Sequence, residues 1–211
     1  MKQVYSVQRL KQIKVERLKL SYEFEEAFGT PQSRGIWFLW GNSGSGKSSF
    51  VMQLAKELAR DDKTFYNLLE ESPDDDSFLQ RVELFEMDQV EKNFGVQSFD
   101  YTELNEYLDK KGSPKYTIID SAKYFFQTFE QVLELEKKYC NKKHNKTFII
   151  TGHADGKNPR TELEKSIMYH AYMKLHVDAY AVHCKGRSIG RNGGHFIIWP
   201  EKYEELNGKQ N

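Results

Sequence analysis

Residues 41–48 have the residue types and the spacing needed to hold a chain of phosphates. Glycines let the backbone curl so that successive N–H groups point inward at an anion, and the positive end of a following helix adds to this field. A lysine after the last glycine can reach the outer phosphates, and the next hydroxyl can bind Mg²⁺. The segment matches G-x-x-x-x-G-K-[ST] at every fixed position. The predicted nucleotide-binding residues are Gly41, Asn42, Ser43, Gly44, Ser45, Gly46, Lys47, Ser48 and Ser49.

A carboxylate that could stand near Mg²⁺ is found at Asp120. It follows the apolar run 116–119, which is typical of a buried strand, and an acid at such a strand end lies beside the metal in phosphate-loop enzymes. Ser48 and Asp120 are therefore the predicted metal ligands, and ATP and Mg²⁺ are the predicted cofactors. The alternative is an aspartate that ends a strand and caps the next helix.

Short apolar runs alternate with amphipathic stretches along the chain, as in a parallel sheet with crossover helices. Residues 35–40 predict the strand that ends in the glycine-rich turn, and residues 47–60 predict the helix after it. The fold class is therefore α/β. Further strands are predicted over 64–69, 116–120 and 147–151, and further helices over 73–86, 101–110, 125–140 and 162–174.

The last third of the chain predicts a different kind of strand pairing. Strands over 175–184 and 195–199 are joined by the Gly-rich turn 185–194. Such a pair is typical of an antiparallel hairpin added to the edge of a mainly parallel sheet.

The residue that would activate the attacking water is not beside Asp120, because position 121 is Ser. The strand predicted after the phosphate-loop helix ends instead in Glu70-Glu71. This arrangement resembles the RecA-like superfamily, whose KaiC, RadA and DnaB-type members end this strand in one or two glutamates. The resemblance implies that Glu70 is the general base, with Glu71 as its assistant or substitute. A carboxylate at the carboxyl end of a neighbouring strand does face the γ-phosphate.

Two later segments extend the resemblance. Gly152-His153 ends the next predicted strand where RecA-like proteins carry a polar sensor of the γ-phosphate, and Ala154–Arg160 has the position of their DNA-contacting loop. Lys185 and Arg187 resemble the K-x-R finger that acts on a neighbouring subunit's ATP in hexameric DnaB-type helicases; a solvated turn is the alternative. The predicted catalytic residues are Lys47, Glu70, Glu71, His153, Lys185 and Arg187.

The resemblance covers about residues 25–200 and implies a RecA-like core over 25–203, followed by a polar tail over 204–211. Residues 1–24 form a basic segment that could bind phosphates, dock on the core or a neighbour, or be a solvated strand and turn. A bare core of this size is similar to short phage-type recombinases and annealing proteins. The basic residues of the segment are Lys2, Arg9, Lys11, Lys14, Arg17 and Lys19.

Composition limits the function classes. Lys plus Arg and Asp plus Glu are equal at 31 each, so no global charge indicates a partner. Cys140 and Cys184 fit neither a zinc spacing nor a disulfide framework, and no apolar run approaches the ~20 residues of a membrane span. We therefore expect a cytoplasmic protein without a membrane partner.

The leading hypothesis is a Mg²⁺-dependent ATPase that acts on single-stranded DNA in recombination or replication, as a homo-oligomer with ATP at its subunit interfaces. A replication or recombination protein could be a further partner. The alternatives are an ATP-switched helicase loader or partner-binding ATPase, and a small-molecule or nucleotide kinase. Four aromatic residues could either stack on bases or pack in the core. They are Phe125, Phe126, Tyr169 and Tyr172.

Overall fold

A sheet of nine strands forms the centre of residues 4–208, the part of the chain that the computed structural model describes. Its strands are β1 Gly35–Gly41, β2 Thr64–Leu68, β3 Phe94–Gln97, β4 Tyr116–Asp120, β5 Thr147–Asp155, β6 Asn158–Pro159, β7 Met173–Asp178, β8 Ala181–Cys184 and β9 His195–Ile197. The strand order is β3-β2-β4-β5-β1-β7-β8-β9, and β6 pairs with β5. All pairs from β3 to β7 are parallel, whereas β8 and β9 add on antiparallel.

Helices cover both faces of the parallel part of the sheet. Apolar residues of α2, α3 and α4 pack in one core layer, and those of α5, α6, α7 and α8 pack in the other. The helices are α1 Val7–Lys11, α2 Tyr22–Phe28, α3 Lys47–Asp61, α4 Asp76–Leu84, α5 Tyr101–Asp109, α6 Ala122–Phe125, α7 Phe129–Tyr139, α8 Glu162–His170 and α9 Pro200–Asn207.

The central strand β1 shows why this region is continuously apolar. Trp37 and Leu39 face the layer that contains α3, while Phe38 and Trp40 face the opposite layer. A strand with helices on both sides has no solvent face, so it needs apolar residues at every position. The predicted α/β class, with a mainly parallel sheet and an antiparallel addition, is confirmed.

The parallel pairing brings distant residues to one edge of the sheet. Gly41 is opposite His153 across β1 and β5, and Leu68 is opposite Asp120 across β2 and β4. Because these strands run the same way, their carboxyl ends meet at the edge where the glycine-rich loop begins.

The end of the chain differs from the prediction at a two-residue turn. Ala179 and Tyr180 adopt positive φ angles of 43° and 57°, which divides the predicted strand 175–184 into β7 and β8. Neither residue is the Gly, Asn or Asp that normally indicates such a turn, so the sequence contains no signal for it. The predicted helix 162–174 ends at His170, because the chain then enters β7.

Two other predicted helices have different bounds. The helix predicted over 73–86 is α4, which begins after a turn in which the Ser72 N–H donates to the Asp75 carboxylate at 2.7 Å. The helix predicted over 125–140 is divided into α6 and α7, because Thr128 caps the start of α7 in a reciprocal capping box.

Two strands were not predicted. In the polar stretch 87–113, β3 carries only Phe94 and Val96 as large apolar residues, too few for a clear alternating pattern. In the predicted loop Ala154–Arg160, β5 continues and pairs with β6 around Gly156, whose φ is 61°. The predicted strand 195–199 is shorter than expected, since β9 ends at residue 197.

The basic N-terminal segment contains the short helix α1, which has no buried residue. Lys2 lies outside the described residues, as do residues 209–211 of the predicted tail. The boundaries predicted after residues 24 and 203 fall inside α2 and α9. Among residues 4–208, no helix is long and apolar enough to cross a membrane.

The segment before β9 is attached to α2 at Gly190, where a side chain should not be tolerated. The Gly190 N–H donates to the Ala27 carbonyl at 3.0 Å, and a Cβ there would overlap the Glu26 carbonyl. We expect Gly190→Ala to lower the free energy of unfolding by about 2–3 kcal/mol, since backbone must move to admit the methyl group. Urea denaturation measures this loss. Gly95→Ala is the matched control, because nothing lies within 4 Å of a Cβ there; equal stabilities of the two variants would contradict the prediction.

Candidate active site

The glycine-rich loop has a backbone conformation that only glycine adopts easily. Gly44 and Gly46 have φ angles of 75° and 95°, and α3 begins immediately after Gly46. The first N–H groups of a helix have no partner within it, so they point toward the space above the loop. The predicted phosphate-binding segment is therefore curled at the start of a helix, as its sequence pattern requires.

The turn between β7 and β8 supports this loop from one side. The Tyr180 N–H donates to the Ser45 carbonyl at 2.9 Å. A Cβ at Gly46 would lie 2.9 Å from the Tyr180 ring, so that position must remain glycine on steric grounds as well. Gly44 has nothing within 4 Å of the equivalent position, which leaves space there.

A cleft of about 340 Å³ opens beside the loop. Loop residues form one wall, and residues from β5, α4 and the ends of β2 and β7 complete it. Backbone N–H groups and the Lys47 ammonium supply positive charge, so this donor set fits the phosphates of a nucleotide. The lining side chains outside the loop are Glu70, Arg81, His153 and Tyr180.

Asp120 is half-buried at the end of β4, where two hydroxyl groups donate to its carboxylate. Tyr66 donates to Oδ2 at 2.6 Å, and Thr151 donates to Oδ1. Burial raises the pKa of Asp120, whereas the Thr151 and Tyr66 hydroxyls and the Lys47 ammonium oppose that rise. Burial and the neighbouring Asp120 carboxylate also raise the pKa of Tyr66, which keeps its hydroxyl a donor.

Ser48 and Asp120 offer the hard oxygen donors that Mg²⁺ prefers. Among residues 4–208, no group of three or more His, Cys, Asp or Glu side chains could hold a metal ion. In a nucleotide site Mg²⁺ keeps several waters and takes only one or two protein ligands beside the phosphates. Ser48 would ligate the ion directly, and Asp120 would attract it and orient its shell.

Glu70 lies in the cleft and is held by two neighbours. The Ser121 hydroxyl donates to Glu70 Oε1 at 2.6 Å, and His153 Nε2 lies 2.8 Å from the same oxygen. The Glu70 side chain keeps 31% of its surface exposed, so water can reach it. The structure therefore brings together three of the predicted residues, Lys47, Glu70 and His153, around one opening.

Glu71 has a different environment from Glu70. It forms an ion pair with Arg81 and accepts a hydrogen bond from the Ser77 hydroxyl at 2.8 Å, both on the α4 side. It does not line the cleft, whereas Arg81 does. The geometry thus distinguishes the two adjacent glutamates, which the sequence alone left open.

His153 is positioned through its backbone. Its N–H donates at 2.9 Å to the Glu164 carboxylate, which is fully buried and also accepts from the Thr161 N–H at 2.8 Å. Gly152 makes room for this contact, since a Cβ there would lie 2.6 Å from the Phe38 ring. The Glu164 carboxylate therefore fixes the backbone of β5 at His153, where the strand reaches the site.

Lys185 and Arg187 lie far from the cleft of their own chain. The Arg187 N–H donates to the Tyr172 carbonyl at 2.9 Å, and the Tyr172 N–H donates to Ile36 at the start of β1. Ile36 and the start of the glycine-rich loop lie at opposite ends of β1. They are roughly 16 Å apart at about 3.3 Å per residue. Both side chains are exposed at the amino edge of the sheet.

Several residues of the site were not predicted from sequence. Tyr66 and Thr151 donate hydrogen bonds to Asp120. In the sequence, the only indication of this role is that each is a polar residue near the carboxyl end of an apolar strand. Ser121 was noted only as a non-glutamate. Arg81 and Tyr180 reach the cleft from a helix and a turn whose placement no local pattern indicates. Phe125 and Phe126 are buried, which confirms core packing for those two predicted aromatics.

Comparisons with known proteins identify the fold. The sequence matches no protein-family model and no curated protein sequence. Among solved structures, a KaiC-like protein from Pyrococcus horikoshii matches with a TM-score of 0.62 and 21% identity, over 87% of this chain and 99% of that one. The flagellar accessory protein FlaH from Methanocaldococcus jannaschii matches with a TM-score of 0.60 and 13% identity, over 87% and 92% of the two chains.

A third similar structure is the ATP synthase subunit NeqB from Nanoarchaeum equitans, with a TM-score of 0.55 and 12% identity. That match covers 78% of this chain and 51% of the other. At such identities the similarity concerns the fold and not the activity. The sheet order, the glycine-rich loop and these three structures together show that the chain has a RecA-like core with the P-loop ATPase fold.

Proposed function

We propose that this chain binds ATP with Mg²⁺ and hydrolyses it. The observation that carries the proposal is the Glu70 carboxylate, which lines the same cleft as Lys47 and is fixed by Ser121 and His153. A positioned carboxylate that water can reach has the properties of a general base. The glycine-rich loop supplies the matching phosphate site.

In the proposed reaction, Glu70 takes a proton from water as the water oxygen bonds to the γ-phosphorus. The bond between that phosphorus and the β–γ bridging oxygen breaks, and ADP leaves with the electron pair. Lys47 and the loop N–H groups stabilise the charge on the phosphoryl oxygens. His153 orients Glu70 and is placed to respond to the γ-phosphate, since it contacts the base directly.

The proposed partner of this ATPase is single-stranded DNA in recombination or replication, held by the segment 154–160. Lys157 and Arg160 are exposed there, and the Arg160 N–H donates to the His153 carbonyl at 2.9 Å. The segment is thus one hydrogen bond away from a residue that contacts the proposed base. Movement of DNA bound to this segment would be transmitted to the cleft through the hydrogen bond between Arg160 and His153.

The second candidate function is an ATP-switched protein that acts through a partner, such as a helicase loader. One similar structure is an ATP synthase subunit and another is a flagellar accessory protein, which supports a role within an assembly. ATP hydrolysis that does not change with single-stranded DNA would favour this candidate over the first.

The Lys47→Ala variant tests nucleotide binding. Loss of the ammonium removes the point charge on the outer phosphates, so we expect no measurable phosphate release and at least tenfold weaker ATP binding. Phosphate release and titration with a fluorescent ATP analogue measure the two effects. Lys92→Ala is the control for an exposed lysine outside the site. Normal turnover by folded Lys47→Ala protein would exclude the proposed phosphate site.

Glu70→Gln and Glu71→Gln form a matched pair. The first keeps the size of the side chain and one oxygen that can accept from Ser121, but it cannot take a proton, so we expect unchanged ATP affinity and hydrolysis at least ~100-fold slower. The second changes a residue outside the cleft and should retain most of the rate. The reverse result would assign the base to Glu71, and a normal rate in both variants would remove the base from this strand.

The Arg187→Ala variant tests the proposed role of Lys185 and Arg187, which is to act on the ATP of a neighbouring subunit. Because it is exposed and far from its own cleft, Arg187→Ala should keep nucleotide affinity and lose hydrolysis in the assembly by ~10³-fold. Mixing inactive Arg187→Ala with inactive Glu70→Gln should restore part of the activity, since one interface in the mixture is complete. Arg191→Ala, an exposed arginine of the same segment, is the control. Absence of recovery in proven mixed assemblies would contradict the role.

A further inference from the structure

Three histidines form a row across the antiparallel part of the sheet. His176 on β7 is directly opposite His183 on β8, and His183 is directly opposite His195 on β9. Their ring centroids are 6.4 Å apart in the first pair and 5.1 Å in the second. We call these three residues the histidine ladder. Directly opposite residues share one face of the sheet, so the three imidazoles form a continuous row.

Aromatic rings continue the row at both ends. Trp40 on β1 is opposite His176, with ring centroids 5.3 Å apart, and Tyr203 on α9 lies 5.7 Å from His195. Five rings from five different elements thus follow one another. The ladder is accessible, because His183 is exposed and His176 and His195 are partly exposed.

One polar atom of the ladder is left unpaired. The Nε2 atom of His176 is buried and has no hydrogen-bond partner in the described part of the chain. No group of three or more metal-ligating side chains in residues 4–208 could hold an ion, and the ladder is included in that statement. Its ring surface is therefore the property that remains to be explained.

The charges around the ladder are mainly positive. Lys174 is on the same face of β7 as His176, and Lys185 follows β8 beside it, since its N–H donates to the Lys174 carbonyl at 2.8 Å. Lys157 is near enough to lower the pKa of His176, and Asp178 is the acid that acts in the opposite direction. A polyanion is the ligand that fits a row of rings with lysines beside it.

The ladder also adjoins the segment already proposed to hold DNA. The Trp40 indole N–H donates to the Lys157 carbonyl at 3.1 Å. The row of rings therefore begins beneath the segment 154–160 and leads away from it across β7, β8 and β9. At about 4.8 Å between strands the ladder spans roughly 10 Å, the length of about three stacked nucleotides.

We propose that the histidine ladder is a stacking platform for the bases of single-stranded DNA that leaves the segment 154–160. The proposal rests on the DNA role given under the proposed function and adds the path of the strand. The imidazole faces receive the bases, while Lys157 and Lys174 neutralise phosphates. The ladder lies outside the ATP cleft, so its variants separate DNA binding from nucleotide chemistry.

Binding of a fluorescein-labelled dT15 oligonucleotide to the full chain, followed by anisotropy, tests the ladder. We expect about tenfold weaker binding for His183→Ala and about 1000-fold weaker binding for the triple alanine variant of the ladder, because each base–aromatic stack contributes roughly one power of ten. His183→Phe should bind within threefold of the unchanged protein, since it keeps a ring. His144→Ala, an exposed histidine elsewhere, should have no effect. Thermal unfolding and circular dichroism check that each variant is folded.

A second measurement locates the strand without relying on affinity. Ultraviolet crosslinking of dT15 carrying 5-iodouracil, followed by peptide mapping, should give adducts on His183, His195 or Tyr203. Crosslinks confined to other surfaces would overturn the proposal even if the variants bind more weakly. This readout also remains informative if the triple variant fails to fold.

The dependence on pH supplies a third readout. Burial lowers the pKa of His176 and of His183, and the neighbouring His195 lowers the pKa of His183 further, so both imidazoles are neutral at pH 7.5. Bound phosphates favour the imidazolium form, which means that affinity for dT15 should rise as the pH falls to 5.5. Lys157, Lys174 and Lys185 stay charged throughout. The rise should be smaller in the triple variant; an equal rise would count against the ladder.

The outcomes separate this inference from the proposed function. Unchanged dT15 affinity in the folded triple variant overturns the ladder and leaves the proposed function in place. ATP hydrolysis without any dT15 binding by the unchanged protein removes both the DNA role and the ladder, while the ATPase remains. Full binding by His183→Lys but weak binding by His183→Phe would show a purely ionic surface and would also overturn the stacking proposal.

Discussion

Parallel pairing of the central strands is the constraint on which the rest of this structure depends. It aligns the carboxyl ends of β1, β2, β4 and β5, so that residues far apart in the chain meet at one edge. Parallel strands need helices on both faces, which explains the continuous apolar runs that lead up to these carboxyl ends. The glycine-rich loop, Asp120, Glu70 and His153 all occupy such ends. The site is thus a direct result of how the sheet is assembled.

Two hydrogen-bonded carboxylates, the half-buried Asp120 and the fully buried Glu164, hold that edge in one arrangement. Asp120 accepts hydrogen bonds from two hydroxyls, and Glu164 accepts from two backbone N–H groups. An isolated buried charge would be strongly unfavourable, so the surrounding donors must be in place for the fold to form. Glu164 holds the His153 N–H, and Asp120 holds Thr151, two residues earlier in β5. Glu70, the more exposed side chain, contacts this inner layer through His153 and Ser121.

Features that depend on consecutive residues could be predicted from the sequence. Features that depend on contacts between residues far apart in the chain could not. The glycine-rich loop and the all-apolar β1 are readable because one residue type after another obeys the same rule. The different environments of Glu70 and Glu71 were not readable, since they depend on Arg81 and Ser121 in other elements. The turn at Ala179-Tyr180 lacks the residues that normally indicate one. The three ladder histidines were missed because they are neighbours only across strands.

The two borders of the sheet have a consequence for how copies of this protein can associate. One border is β3, with four residues, and the other is β9, with three. Such short borders offer few free backbone groups, so another chain gains little by adding a strand to them. Growth of the sheet from one molecule into the next is therefore disfavoured, which protects the protein from fibrous aggregation. Any regular assembly must instead use side chains on the helical faces and loops.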